Sequence, residues 1–337
     1  MPNFKKSLLT VGIAGCLFGG ALIATGVATG GANHLLQANQ TKFSKKTEEF
    51  SNISALDIHM NTRDLSIDES KDNKVHLTYY QGEEASEHIT VSNNQGTLSI
   101  QQPRQLFSFG WISSFRSLAN LFNSEQQRST VSLSLPKGTS LTNFKGHSSL
   151  GNVTLSGLNV KELDLSLSAG SLTFSNSTIT TGNLSNSLGN ITLSGLNAQK
   201  LDLDLSSGSL AINNSTINKG KLKNSLGDIM LNQSKLADST IDLSSGLLDS
   251  HQLTLSGDIT IDNSLGDVKL NLVKESLDTL SFDLETSLGT VKVPSNFQSI
   301  TGESDEVGSK LKRTLDNSKG KVFVRDSAGS IELSAAE

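Results

Sequence analysis

One triplet, Ser-Leu-Gly, recurs at fixed steps along this chain, and the step limits what the chain can fold into. It begins at Ser149, Ser187 and Ser225, 38 residues apart, and again at Ser264 and Ser287. Variants at Ser168, Ser206 and Ser244 fall midway, so the underlying step is 19 residues. Residues 149–186 and 187–224 share 25 identities in 38 positions, which marks a duplicated two-turn unit. Fixed periods of this size belong to solenoids and arrays, where each unit buries its apolar face against its neighbours.

Counted from its serine, each unit carries an apolar fifth residue: Val153, Leu172, Ile191, Leu210, Ile229, Leu248 and Val268. The seventh is Leu155, Phe174, Leu193, Ile212 and Leu231. Two later columns run through Ile179, Ala198, Ile217, Leu236 and Leu255, and through Leu165, Leu184, Leu203, Leu222 and Ile241. Period-two alternation sends such residues to one face of a strand, and stacking at about 4.8 Å piles them into a continuous core. The third position is always glycine, at Gly151, Gly170, Gly189, Gly208, Gly227, Gly246 and Gly266. A corner that needs positive φ explains that constancy. Asn186, just before one such corner, is expected to join a polar ladder of stacked like residues. The expected fold is all-β: a β-solenoid, β-helix-like, of 19-residue coils, preceded by one N-terminal transmembrane helix.

Only 4 prolines and 5 % aromatic residues suit many short strands with tight turns. The single cysteine, Cys16, excludes an intramolecular disulfide framework. Residues 1–46 hold five lysines and no acid, which leaves 23 basic and 33 acidic residues beyond them, a net charge of −10. That balance argues against nucleic acid as a partner, because such affinity comes largely from cationic contacts to phosphate.

Leu8 to Ala28 contain no charged residue. At about 1.5 Å per residue the run reaches roughly 30 Å, the thickness of a bilayer core. Residues 1–31 therefore read as a membrane anchor. A signal peptide cut near Ala28 and a lipoprotein signal that presents Cys16 after Ile13-Ala14-Gly15 are the competing readings. Gly15 and Gly19 form a small-xxx-small pair of the kind that lets helices pack closely. Lys5 and Lys6 lie nearer the run than Lys42, Lys45 and Lys46, which places the N-terminus in the cytoplasm and the repeats outside.

Residues 32–50 read as a linker, and 51–135 as short alternating strands interrupted by an aromatic helical insertion over 104–124. In that insertion Phe107, Trp111, Phe115, Leu118 and Phe122 share one helical face. The face is expected either to cap the open side of the solenoid or to contact lipid. Residues 136–337 form the solenoid, with an irregular C-terminal excursion over 295–321 that is a loop or part of a cap.

The stretches "TRDLSIDESKDNKVHLTYY", "GTLSI" and "LPKGTSL", followed by "SLGNVTL" and "SLGDVKL", resemble the bacterial putative-adhesin family of β-strand-repeat proteins, a domain of unknown function. The similarity covers roughly residues 53–335. It implies an envelope-facing β-repeat domain behind a membrane segment and brings no catalytic residues with it.

Candidate chemistry is sparse. "GHSSLG" is one residue away from a hydrolase nucleophile elbow, but no helix follows Ser149 and the triplet is a repeated corner. Asp164, Asp202, Asp204 and Asp242 alternate with core leucines and therefore face solvent. Lys200, Lys219, Lys221 and Lys223 read either as a small basic stripe for a polyanion or as ordinary solubilising residues. No metal-ligand spacing is present, and neither a cofactor nor a metal is expected. The expected function is a membrane-anchored extracytoplasmic scaffold for binding or adhesion at the bacterial cell envelope, with an envelope glycan, lipid or protein as partner. The alternatives are an envelope-stress or membrane-active-peptide sensor and, behind it, a carbohydrate-active β-helix enzyme.

Overall fold

The structure, a computed structural model, describes residues 43–82, 88–103, 130–295, 297, 300–304 and 308–336. The anchor expected over 1–31 and the aromatic face from Phe107 to Phe122 lie outside the described residues. Among the described residues no helix is long and apolar enough to cross a membrane.

A regular coil contains a four-residue strand such as Val153–Ser156, a tight turn, an eleven-residue strand such as Asn159–Ala169, and a glycine corner. The short strands stack in parallel, so that Val153 lies against Leu172, Leu172 against Ile191 and Ile191 against Leu210. The long strands form the opposite sheet, with Leu165 against Leu184 and Leu184 against Leu203. Among the described residues the two sheets comprise 13 and 15 strands. Between them lies the core, in which each of the four apolar columns is at most 2 % exposed.

Period-two alternation slips once in each long strand, where Val160 and Leu163 are both buried and Lys161 and Glu162 both exposed. The slip bends the strand and creates a further inward column, in which Leu163, Gly182, Leu201 and Gly220 follow one another. A Cβ on Gly182 would lie 3.0 Å from Leu201 Cδ1, so the large residues occupy room left by the small ones. The turn after the short strand also needs left-handed backbone. Gly157 (φ 72°), Asn176 (47°), Gly195 (64°) and Asn214 (50°) supply it in successive coils, glycine and asparagine being the residues that tolerate it best.

Strand order departs from sequence order at both ends of the solenoid. Ala55–Met60 lies between Ser140–Ser148 and Thr97–Gln101. At the other end Lys321–Ala328 is inserted between Thr254–Leu265 and Ser281–Thr286, and Ile331–Ala335 between Val268–Leu272 and Val291–Lys292. The loosened spacing beyond Leu270 thus reflects a coil placed out of order. The excursion contributes Ile300–Ser304 and Ser309–Arg313, which pair antiparallel beyond Ser281–Thr286. Arg313 fixes this end: its Nη2 donates to Leu277 O at 2.6 Å, and its guanidinium carbon lies 4.2 Å from the centroid of the Phe297 ring. At the N-terminal end Thr90–Asn94 and Val75–Gln81 also pair antiparallel. Reversing the last strands ends the parallel stack and blunts edges that would otherwise pair with other chains. Ser44–Phe50, read above as linker, is a strand beside Val75–Gln81, held by Lys74 on Glu49 (2.6 Å) and the Tyr79 hydroxyl on Glu48 (2.7 Å).

Gln102 closes the corner at residues 61–63. Its Oε1 accepts from the amides of Asn61, Thr62 and Arg63 at 2.9, 3.0 and 3.3 Å, and its Nε2 donates to Thr62 Oγ1 at 2.9 Å. Gln102→Ala removes the acceptor shared by three amides and should cost about 2 kcal/mol, with faster hydrogen exchange at 61–63. Unchanged denaturation and unchanged exchange would mean that the corner holds without it.

Candidate functional site: a row of exposed leucines on pinned corners

Ser-Leu-Gly corners stack along one edge of the solenoid. Their glycines lie almost on top of one another: a Cβ on Gly189 would be 2.2 Å from Gly170 O, and one on Gly227 2.2 Å from Gly208 O. Six of the seven have φ between +116° and +145°. Gly151 is the exception, outside the positive-φ set. Its glycine is required by close approach, since a Cβ there would be 2.1 Å from Arg63 O.

Leucine at the second corner position points outward. Leu150, Leu188, Leu226, Leu265 and Leu288 are between 54 and 59 % exposed and account for five of the six large exposed hydrophobics among the described residues. Strict alternation from Leu184 would turn Leu188 inward, because Leu184 and Asn186 both face the core. The strand ends at Leu188, and the glycine corner swings that side chain to solvent.

The leucines occupy every second coil. Ala169 stands beside Leu188 and Ser207 beside Leu226 in register. The alternation survives the inserted coil: Ala328 pairs with Leu265, and Gly329 donates to Leu288 O. Sequence spacing fails here, yet the order in space remains leucine, small, leucine. At about 4.8 Å per coil the leucines recur every ~9.6 Å, and the row is about 38 Å long.

Each leucine corner is held by a buried polar side chain two residues earlier. Ser148 Oγ donates to Gly151 O (3.0 Å), Asn186 Nδ2 to Gly170 O (2.9 Å) and Asn224 Nδ2 to Gly208 O and Gly227 O (3.0 and 2.9 Å). Asn263 Nδ2 donates to Gly266 O (2.7 Å) and Thr286 Oγ1 to Gly329 O (2.7 Å). All five side chains are at most 3 % exposed. The in-register neighbours of Asn186 are Leu167 and Leu205, so it does not stack on like residues in a ladder. Asparagine on alternate coils reaches a glycine carbonyl, a stronger demand than self-stacking in an apolar column. A second clamp follows two residues after the leucine: Asn152, Asn190, Asp228 and Asp267 each accept at 2.9 Å from a backbone amide of the next coil. Pinned on both sides, the leucines stand on rigid backbone, as a preformed contact surface requires.

The coils between carry Leu167, Leu205 and Leu243 in the pin column, with Asp326 the departure. Its carboxylate is fully buried, and both oxygens lack a hydrogen-bond partner of ordinary geometry. Burial pushes its pKa up to about 6, with the Ala328 amide opposing and Asp267 adding to the rise.

Elsewhere the chemistry is ordinary. Asp164, Asp202, Asp204 and Asp242 lie on the outer face of the long-strand sheet. Lys200 pairs with Asp202 at 3.4 Å and Lys223 with Asp204 at 4.0 Å, and Lys221 adjoins Asp202 in register, so the lysines stand among carboxylates. His147 Nε2 is 3.4 Å from Ser149 Oγ and its Nδ1 2.9 Å from Ser166 Oγ, a hydroxyl where a triad places a carboxylate. Among the described residues no three His, Cys, Asp or Glu side chains are grouped to hold a metal ion.

The exposed leucines and their pins were missed by the sequence reading. The signal was available in the two-coil period: a polar inward residue two positions before leucine and an Asn or Asp two after it.

Known proteins were compared at this point. No curated protein matches the chain. It is similar to the solved structures of a putative lipid binding protein of Parabacteroides distasonis (11 % identity, 87 % of this chain and 97 % of that one, TM-score 0.44) and a putative adhesin of the same organism (11 %, 87 % and 98 %, TM-score 0.36). It is also similar to a putative cell adhesion protein of Clostridium sporogenes (12 %, 88 % and 100 %, TM-score 0.25). The family model described as Toastrack DUF4097 matches residues 53–334, most of the chain and every coil described above, and the chain therefore belongs to the Toastrack DUF4097 family.

Proposed function

We propose that this protein is a membrane-anchored extracytoplasmic β-repeat scaffold for binding or adhesion at the bacterial cell envelope. The observation that carries the reading is the row of leucines held exposed on pinned corners. Isolated exposed leucines need no explanation, but five on a regular ~9.6 Å repeat form an apolar line that folding does not require. Polar side chains are spent in the core to hold that line, a pattern that favours a contact surface over a packing accident. The uncharged run from Leu8 to Ala28 supports the anchor, and a tether that ends at Ser44 keeps the coils close to the membrane.

The full-length chain in detergent micelles, sedimented with cell-envelope fragments, tests this. Wild type should be retained, and Leu188→Ser with Leu226→Ser should lower retention about tenfold or more, since each truncation removes roughly 1–2 kcal/mol of apolar contact. Retention that is unchanged in the double variant would remove the row from the binding surface. No retention of wild type would sink the scaffold reading itself.

A further inference from the structure

We infer that the leucine row is a self-association surface, covered by the same row of a second copy in an antiparallel, two-fold arrangement. This inference rests on the reading of the row as a contact surface and names its partner.

Shape is the first argument. The row is a ridge with notches: leucine corners alternate with Ala169, Ser207, Ser245 and Ala328. A line of knobs every two coils, separated by one-coil notches, is complementary to a second line of the same period shifted by one coil. That period is a property of this chain. The inserted C-terminal coil strengthens the point, because it puts Ala328 into the notch between Leu265 and Leu288 although the sequence spacing there is broken. Conservation of the spatial alternation across a change in strand order favours a partner that reads the spacing over one that needs only apolarity. A fluid lipid surface would gain from leucine at every corner.

Symmetry is the second. Antiparallel rows related by a two-fold axis present the same patch to each other, the commonest closed arrangement for a homodimer. Leu226 is the middle leucine of the five. A one-coil offset therefore puts the axis beside it and seats Leu226 of each copy in the notch at Ser207 or Ser245 of the other.

Area and charge agree. Each leucine is more than half exposed, so five offer about 500 Å² per copy and a pair buries about 1,000 Å² from leucines alone, near the lower bound for a specific interface. Serines at the first corner position, such as Ser187, Ser206 and Ser225, border the row and add no charge to it. Residues beyond 46 carry a net charge of −10, so two copies repel at long range, and added salt should tighten the pair.

Full-length chain in detergent micelles, followed by sedimentation velocity across a concentration series, provides the test. Wild type should dimerise. Leu226→Ser should weaken the dimer about tenfold or more. Filling both notches, with Ser207→Leu and Ser245→Leu, should weaken it at least as much, although it adds apolar surface. Both changes place a residue already found at the same corner of the adjacent coil, so the fold tolerates them. A monomeric wild type, or a dimer unaffected or tightened by filled notches, would overturn the inference; the last two outcomes also cover pairing through Gly15 and Gly19. Neutral phosphatidylcholine vesicles form the second arm: binding that rises when the notches are filled would assign the row to lipid and overturn self-association. Loss of pairing with envelope retention intact leaves the scaffold reading standing, whereas a dimer that is retained by no envelope fraction sinks that reading and leaves the pairing.

Discussion

Gly208→Ala is expected to cost about 4 kcal/mol or more and to split the solenoid near its middle. Gly208 has φ +133°, a backbone that L side chains rarely adopt. A Cβ there would lie 2.2 Å from Gly189 O and 2.7 Å from Gly189 C, so the clash is with backbone rather than with a side chain that could move aside. Relief would require the two coils to separate. That would break the ladder between Asn190 and Ser209 and the bond from Asn224 Nδ2 to Gly208 O. Because each coil contacts only its neighbours, the damage divides the stack instead of spreading evenly. Guanidinium unfolding should show a lower midpoint and a second transition, with hydrogen exchange fastest around 189–209. Ser207→Ala, one residue away and facing outward, should change stability by less than about 0.5 kcal/mol. Equal stability of the two variants would show that the corner can relax and that the stacked glycines are not required.

Asp326→Asn is expected to stabilise the protein by about 2 kcal/mol at pH 7, with the gain disappearing in acid. The carboxyl is buried without an ordinary hydrogen-bond partner, and its pKa rises from 3.8 to about 6. Because the folded value is the higher one, the native chain holds a proton that the unfolded chain has released between about pH 4 and pH 6. Stability therefore falls as pH rises through that window and stays lower above it. The displacement corresponds to at most ~3 kcal/mol, and the rim position at a corner reduces that through solvent screening. Asparagine removes the penalty and can offer Nδ2 to Gly329 O, as Asn263 does to Gly266 O one coil away. Denaturation midpoints between pH 3.5 and 8 should converge for the two proteins below about pH 4 and separate above pH 6. A constant difference across that range, or a less stable Asn variant at pH 7, would mean that the carboxylate is satisfied in a way its geometry does not suggest.

Much of this fold was legible because a solenoid writes its contacts into its period. Residues 19 apart in sequence are neighbours in space, so the columns through Val153, Leu155, Leu165 and Ile179 could be assigned from alternation alone. The glycine column was visible for the same reason, although close backbone stacking is the requirement common to it and left-handed backbone is not, as Gly151 shows. Alternation failed at Leu188. Period two holds only while the strand continues, and the corner turns the next side chain outward. Asn186 was misjudged for a related reason: its neighbours belong to coils of the other type, and the two-coil period outranks the single coil.

By itself the sequence determined the repeat, the all-β class, the core columns and membership of a β-strand-repeat family of unknown function, since each follows from periodic burial along a strand. Tertiary structure alone decided which strands lie at the two ends. Placement of residues 321–335 between 254–272 and 281–292 depends on which edge was open when the last coil docked, and nothing in a local pattern encodes that choice. It also decided that the leucine of Ser-Leu-Gly faces water. The direction of one side chain at a corner is set by the backbone on both sides of it, and here that backbone is fixed by pins reaching to carbonyls that include those of other coils.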